Sequence, residues 1–371
     1  MQNIPLVDLA AQREEVAEEV AAGWQSVLAQ TAFIGGPQVR TFESEYAAFI
    51  GTRHCVGVAN GTDAIEIALR ALGVGAGDEC ILPANTFIAT AEAVSRAGAT
   101  PVLVDCADDG TYLIDTDAVE AAVTPRTRAI IPVHLYGQAA PVERLLPLAE
   151  RIGARVVEDA AQSQGARRCG TSAGALGHAA ATSFYPGKNL GAYGDAGAAL
   201  TGSDEVATQM RMIRDHGSAR KYEHDVLGVN SRMDTLQAVV LSAKLCRLAA
   251  WNAARQAAAM RYDALFSQHD EIVRPRVLDG NEHVWHLYVV RIPDRDMALK
   301  ELHAVGIGAG IHYPVPIHLT SAFAGLGYAE GAFPVAERAA CELLSLPLFA
   351  EITAPQQERV ASALITALGT K

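Results

Sequence analysis

The sequence predicts an α/β fold with a mostly parallel sheet covered by helices on both faces. Two observations carry that prediction. From about residue 54 short β-rich runs alternate with helical periods, the pattern of successive strand–helix crossovers. Half of the 371 residues are hydrophobic and only 19% are charged, enough apolar material for one large or two moderate cores. Taken in order, residues 12–30 and 39–49 read as two helices of an N-terminal arm. Residues 54–58 read as a strand, followed by a helix over 61–72 with apolar positions at 65, 68, 69 and 72. Strands at 80–82, 101–104, 129–133 and 155–157 alternate with helices at 88–97, 116–123 and 141–152. After residue 202 the alternation loosens. A helix is predicted over 203–215, a long Ala/Leu-rich helical region over 233–266, and a strand over 284–290. A boundary within 245–255 divides the chain into residues 1–250, the arm plus a large domain, and residues 251–371, a small C-terminal α+β domain.

Composition excludes several classes of function. Thirty Lys and Arg against 42 Asp and Glu give a net charge of −12, and no basic tract offsets it. The chain as a whole is therefore not a nucleic-acid or anionic-membrane binder, and an anionic ligand must find a local positive patch. The longest stretch free of Asp, Glu, Lys and Arg, residues 302–329, is interrupted by His, Gly, Pro, Ser and Thr and is no membrane span. The start of the chain lacks the basic and apolar regions of a signal peptide, so a cytoplasmic location is expected. Six dispersed cysteines with no Cys-x-x-Cys pair predict reduced, buried thiols rather than disulfides or zinc.

Familiar catalytic motifs fail on inspection. There is no His-Glu-x-x-His. Gly187-Lys188 would suit a phosphate loop, but Thr182 replaces its first Gly and Asn189 its Ser/Thr. Gly73, Gly75 and Gly77 follow a helix rather than a strand and read as a cap and turn. Three features remain at the C-terminal ends of predicted strands, where α/β folds bind ligands. Asn60-Gly61-Thr62 opens a helix, a phosphate site or an ordinary cap. Glu158-Asp159 ends an apolar strand, either a loop carboxylate in water or a buried one that needs a partner. Lys188 follows an aromatic strand end and a Pro-Gly turn, a surface lysine or a reactive one. Together, a phosphate cradle, a carboxylate and a loop lysine suit pyridoxal 5′-phosphate: the lysine forms the Schiff base, and the carboxylate keeps the pyridine nitrogen protonated.

Motifs in the same order along nearly the whole chain resemble the DegT/DnrJ/EryC1/StrS family of sugar aminotransferases. They are Phe33-Ile-Gly-Gly36, Asn60-Gly-Thr-Asp-Ala64, Pro83 to Thr90, Ile131 to Gln138, Glu158-Asp-Ala-Ala-Gln162, Ser183 to Gly191, Gly228 to Arg232, and His312-Tyr-Pro314. The resemblance implies a type I, aspartate aminotransferase-like fold and a homodimer with shared active sites. It assigns Lys188 as the Schiff-base lysine, Asp159 to the pyridinium nitrogen, Gln162 to the ring-hydroxyl side and Phe87 to the ring face. Gly61, Thr62 and Ser183 hold the phosphate, joined by Asn230 of the neighbouring subunit. Tyr185, His312 and Tyr313 line the sugar pocket. Arg214, His216, Arg220, Lys221 and Arg232 approach the nucleotide diphosphate, although a solvated helix end explains Arg220 and Lys221 equally well.

The implied reaction moves an amino group from L-glutamate to a nucleotide-linked keto-deoxysugar. The residues before Lys188 are similar to those of members that aminate the 3-position of a dTDP-3-keto-6-deoxyhexose. A 4-keto substrate is the alternative, with cyclitol or acylated uronic acid ketones and a non-catalytic regulator behind it. Family dehydratases carry His in place of the lysine, and Lys188 argues against that reaction. His178, Ala196 and Gln164 depart from the common family pattern at positions not expected to touch the chemistry.

Overall fold

The computed structural model describes residues 3–220 and 222–369. The arm consists of α1 (Leu9–Gln30), capped by the Asp8 carboxylate, and α2 (Pro37–Ile50). The alternating region follows: β1 (His54–Val58), α3 (Gly61–Ala71), β2 (Glu79–Pro83), α4 (Ala89–Arg96), β3 (Thr100–Val104), α5 (Thr116–Ala121), β4 (Thr127–Ile130), α6 (Val142–Ile152) and β5 (Arg155–Asp159). A small antiparallel excursion, β6 (Arg167–Arg168) and β7 (Thr171–Ser172), leads to β8 (Ala179–Ser183), β9 (Gly197–Thr201) and α7 (Asp204–Arg214). The hairpin β10 (Ser218–Arg220) and β11 (Glu223–His224) precedes α8 (Thr235–Leu245) and α9 (Leu248–Leu265). The chain closes with β12 (Asn281–Glu282), β13 (Tyr288–Arg291), α10 (Arg295–Ala304), α11 (Pro334–Glu342), β14 (Leu343–Leu346) and α12 (Ala354–Gly369).

The central sheet has seven strands in the order β1-β9-β8-β5-β4-β2-β3. Only β9 runs against its neighbours; the other pairings are parallel. The sheet is thus mixed and mainly parallel, as the alternation implied. Strands β2, β4, β5, β8 and β9 are buried almost throughout, and the main core packs both faces. A second core joins α9, the β13–β14 pair, α10 and α12, with Ile4 inserted from the start of the chain.

Three expectations are revised. The helical region 233–266 is two helices. The Arg247 amide donates to the Lys244 carbonyl at 3.0 Å, while its guanidinium takes the Ala243 carbonyl at 2.7 Å that a continuous helix would use. The strand over 284–290 shrinks to Tyr288–Arg291. Residues 284–287 instead pack on the turn at Gly137, where a Cβ would lie 2.7 Å from the His286 nitrogen, and Trp285 takes a φ of 51°. Of the six thiols, Cys55, Cys80 and Cys106 are buried but Cys169, Cys246 and Cys341 are exposed. Those three sit in the β6–β7 turn, just after α8 and on α11, outside the sheet core. No helix among the described residues is long and apolar enough to cross a membrane.

Because β9 is reversed, its first residue, Gly197, meets the start of α3. A Cβ there would lie 2.4 Å from the Asn60 carbonyl oxygen. Gly197→Ala therefore pushes α3 off the sheet. The expected cost is about 1–3 kcal/mol, read as a lower urea midpoint with an unchanged m-value.

Candidate active site

The C-terminal ends of β1, β8 and β5 lie at one edge of the sheet, with the reversed β9 between β1 and β8, and each delivers one part of a site. After β1, Asn60 caps α3 by accepting from the Asp63 amide at 2.8 Å. The first-turn amides at Gly61 and Thr62 have no carbonyl of their own helix to meet, and the helix dipole makes this end attractive to anions. Gly61 is required by proximity: a Cβ would come within 2.6 Å of the Ser183 Cβ. The turn is braced from outside, because Asp63 accepts from the buried Ser231 hydroxyl at 2.7 Å and pairs with Arg96 at 2.8 Å.

At the end of β5 two adjacent carboxylates take different environments. Glu158 has no solvent exposure, yet it accepts from the amides of Gly174, Leu176 and Gly177 at 2.7–2.8 Å and faces His134 Nε2 at 2.8 Å. His134 Nδ1 accepts from the Ala140 amide at 3.0 Å, so Nε2 carries the proton and donates to Glu158. Asp159 turns into a cavity, where it accepts from Thr90 Oγ1 at 2.8 Å and from the Ala161 amide at 3.1 Å. The buried acidic pair therefore has its partners, and only Asp159 is available to a ligand.

The loop after β8 carries Lys188. Phe184 anchors it, fully buried and edge-on to Phe42 and Tyr46 with ring centroids 5.4 and 5.2 Å apart. Gly191 is forced by its approach to the Pro186 carbonyl, which a Cβ would meet at 2.2 Å. Lys188 lines the cavity and is partly buried; burial pushes its amine down to about 8, against the opposing pull of Asp159. Phe87 and Tyr313 stand with ring centroids 5.4 Å apart. Gln162 accepts from the Tyr136 amide at 2.6 Å and donates to the Tyr313 hydroxyl at 3.0 Å. His312 Nδ1 meets Ser345 Oγ at 2.8 Å, and burial, followed by the Lys188 charge, lowers its imidazole to about 4.

These groups enclose a cavity of about 440 Å³. Gly61, Thr62, Phe87, Asp159, Gln162, Ser183, Tyr185, Lys188, His312 and Tyr313 all line it. Asn230 and Arg232 do not; Asn230 is exposed, and Arg232 pairs with Asp215 at 2.9 Å. Lys221 lies outside the described residues. Arg214 is taken up by Glu43 and the Gly57 carbonyl, both at 2.6 Å, which makes it a brace for β1. Gln164 ties β5 to β8 through Thr182 Oγ1 and the Ser183 carbonyl, both at 2.9 Å. Sequence reasoning missed Thr86, Asp195 and His286, which also line the cavity. The one signal for His286 was a polar residue inside an otherwise apolar run.

Comparisons with known proteins agree with this geometry. The sequence model of the DegT/DnrJ/EryC1/StrS aminotransferase family matches residues 14–365. The chain is 48% identical over 360 residues to a "pleiotropic regulatory protein" of Geobacillus stearothermophilus, covering 96% of each. It is 46% identical to a dTDP-3-amino-3,4,6-trideoxy-alpha-D-glucose transaminase of Streptomyces venezuelae, over 97% of this chain and 95% of that one. The crystal structure of S. venezuelae DesV superposes with a TM-score of 0.97 at 45% identity, covering all of both chains.

Lys188 should show its burial directly. In cofactor-free protein, the rate at which a small aldehyde adds to Lys188 should rise with pH through a midpoint near 8. Asp159→Asn removes the charge that favours the ammonium form and should move that midpoint lower.

Proposed function

The chain belongs to the DegT/DnrJ/EryC1/StrS aminotransferase family, and from that premise we propose that it transfers an amino group from L-glutamate to the 3-position of a dTDP-3-keto-6-deoxyhexose, with pyridoxal 5′-phosphate as carrier. The observation that carries the reading is the convergence of Lys188, Asp159 and the open first turn of α3 on one cavity. That donor set fits the cofactor. The α3 amides and Ser183 suit its phosphate, Asp159 its ring nitrogen, Phe87 its ring face, Gln162 the side of its hydroxyl and Lys188 its aldehyde. Bound there, the cofactor supplies an electron sink for the carbon that loses a proton. The protein's part would be to exclude water, hold one ring face with Phe87, and move that proton on Lys188 Nζ. A neutral amine is needed, and an amine lowered to about 8 is partly neutral near physiological pH.

The ring position follows from Tyr185 in the lysine loop and from the 3-amino product that names the S. venezuelae relative. A 4-keto sugar is the second reading. The name of the Geobacillus relative raises a regulatory role, but a binding protein has no use for a cavity lysine whose amine is lowered toward neutrality.

The cavity also supports a dimer with shared sites. Among its lining residues Lys188 is the only Lys or Arg, too little positive charge for a cofactor phosphate and a nucleotide diphosphate. Phe87 and Tyr185 stand more than half exposed at its mouth. A second copy would bring Asn230 to the phosphate, and Lys221 and Arg232 to the nucleotide.

Two experiments test this. Glutamate should bleach the visible band of the bound aldehyde cofactor, and a dTDP-3-keto sugar, not its 4-keto isomer, should restore it; recovery with the 4-keto sugar alone would reverse the ring position. Lys188→Ala and Asn230→Ala proteins should each be inactive, and mixing them after subunit exchange should recover activity. No recovery would place Asn230 in its own subunit's site or outside the chemistry.

A further inference from the structure

Asp159 is held by two threonines, Thr86 just before α4 and Thr90 in its first turn. Thr90 is fully buried, and its Oγ1 lies 2.8 Å from Asp159 Oδ2, a residue 69 positions away in sequence. Two other acceptors compete for its single hydroxyl proton, the Phe87 carbonyl at 3.3 Å and Thr86 Oγ1 at 3.0 Å. The carboxylate is the nearest of the three and the one that carries charge. The Phe87 carbonyl already accepts from the Thr90 amide at 3.2 Å. The proton therefore goes to Asp159. Thr90 Oγ1 keeps its lone pairs, so Thr86, itself buried, is the donor of the second bond. The direction of the chain is fixed, from Thr86 to Thr90 to Asp159.

Its consequence is orientation. Asp159 Oδ1 accepts from the Ala161 amide at 3.1 Å. With one donor on each oxygen, the carboxylate cannot turn about its Cβ–Cγ bond without losing both. A carboxylate has about four lone-pair sites, so acceptor capacity remains, and Asp159 lines the cavity. The same turn of chain carries Phe87, three residues before Thr90, whose ring stands at the cavity mouth. One short segment thus places an aromatic ring and orders a carboxylate of a distant strand. Valine has nearly the shape of threonine, so packing alone does not call for a hydroxyl at this fully buried position.

We propose that Thr90, backed by Thr86, is a positioning residue that locks the rotation of the Asp159 carboxylate for its contact with the cofactor's ring nitrogen. No bond breaks and no proton travels along the chain; the two hydroxyls only donate. The inference rests on the cofactor assignment above and adds to it the device that orients the carboxylate.

The probe is pyridoxamine 5′-phosphate, the amine form of the cofactor, which cannot condense with Lys188 and so reports the non-covalent contacts. Its dissociation constant is measured on full-length, cofactor-free protein. Thr90→Val should bind it roughly tenfold more weakly, the low end of the worth of one hydrogen bond to a charged group. Thr90→Ser keeps the donor and should bind as the unaltered protein does. In an Asp159→Ala background Thr90→Val should cost nothing further, because the group it orients is gone. Unchanged affinity in Thr90→Val, an equal loss in both backgrounds, or a serine variant as weak as the valine one overturns the proposal. Urea midpoints check folding, and Thr90→Ala replaces the valine variant if that one unfolds. A second readout needs no ligand: the Thr90 hydroxyl proton should give a slowly exchanging ¹H resonance that is lost to exchange in Asp159→Ala. A resonance indifferent to Asp159→Ala also overturns the proposal. If the unaltered protein does not bind the probe, the cofactor assignment falls and this inference with it; if it binds and only the variants depart from the expected pattern, this inference falls alone.

Discussion

The site depends on a lysine amine held in a partly buried cavity within reach of a carboxylate's charge. Burying the ammonium disfavours it, and Asp159 compensates only in part, so the group comes to rest near 8 rather than at the ordinary lysine value. Of the two acids that end β5, Asp159 is the one whose charge acts on Lys188. Strand alternation sends Glu158 the other way, where three backbone amides and the His134 N–H satisfy it. Two acids at the end of one strand can therefore both be buried. One secures the strand end, and the other is left with acceptor capacity for a ligand.

The same region requires backbone to approach backbone. Gly61 against Ser183, Gly197 against the Asn60 carbonyl, and Gly191 against the Pro186 carbonyl leave less than 3 Å for an added carbon. They bring a helix start, a reversed strand and the lysine loop together, so the α3 amides and the Lys188 amine open into one cavity. Around this centre the supports are carboxylates and hydroxyls from distant segments, such as Asp63 with Ser231 and Arg96. Sequence separation is large, and the geometry is set by the sheet.

How much of this was legible follows from which forces are local. The strands from His54 to Asp159 and their helices were visible because burial on both faces writes apolar runs into the sequence. Most of the residues that line the cavity were visible because they sit in short motifs at strand ends. The reversal of β9 was not, since neither periodicity nor composition encodes strand direction. The run Val284–Val290 misled for a related reason: it is apolar because it is buried, but its first half is held by the Gly137 turn instead of a ladder. Arg214 looked like a ligand for phosphate because charge is visible in sequence, while its partner Glu43 is 171 positions away.

The histidines complete the electrostatic picture. His286 and His312 are both driven toward the neutral form by burial, so the imidazoles add no positive charge to a cavity whose one lysine is itself depressed. Neutral imidazoles accept or donate single hydrogen bonds, which suits hydroxyl groups better than carboxylates or phosphates. An enclosure with this lining discriminates by hydrogen-bond direction at its inner end. The charge needed for phosphates must then enter at the open mouth, where Phe87 and Tyr185 remain exposed. A chain of net charge −12 makes that division physically consequential, because distant charges oppose an anionic substrate and only nearby cations can reverse the local field.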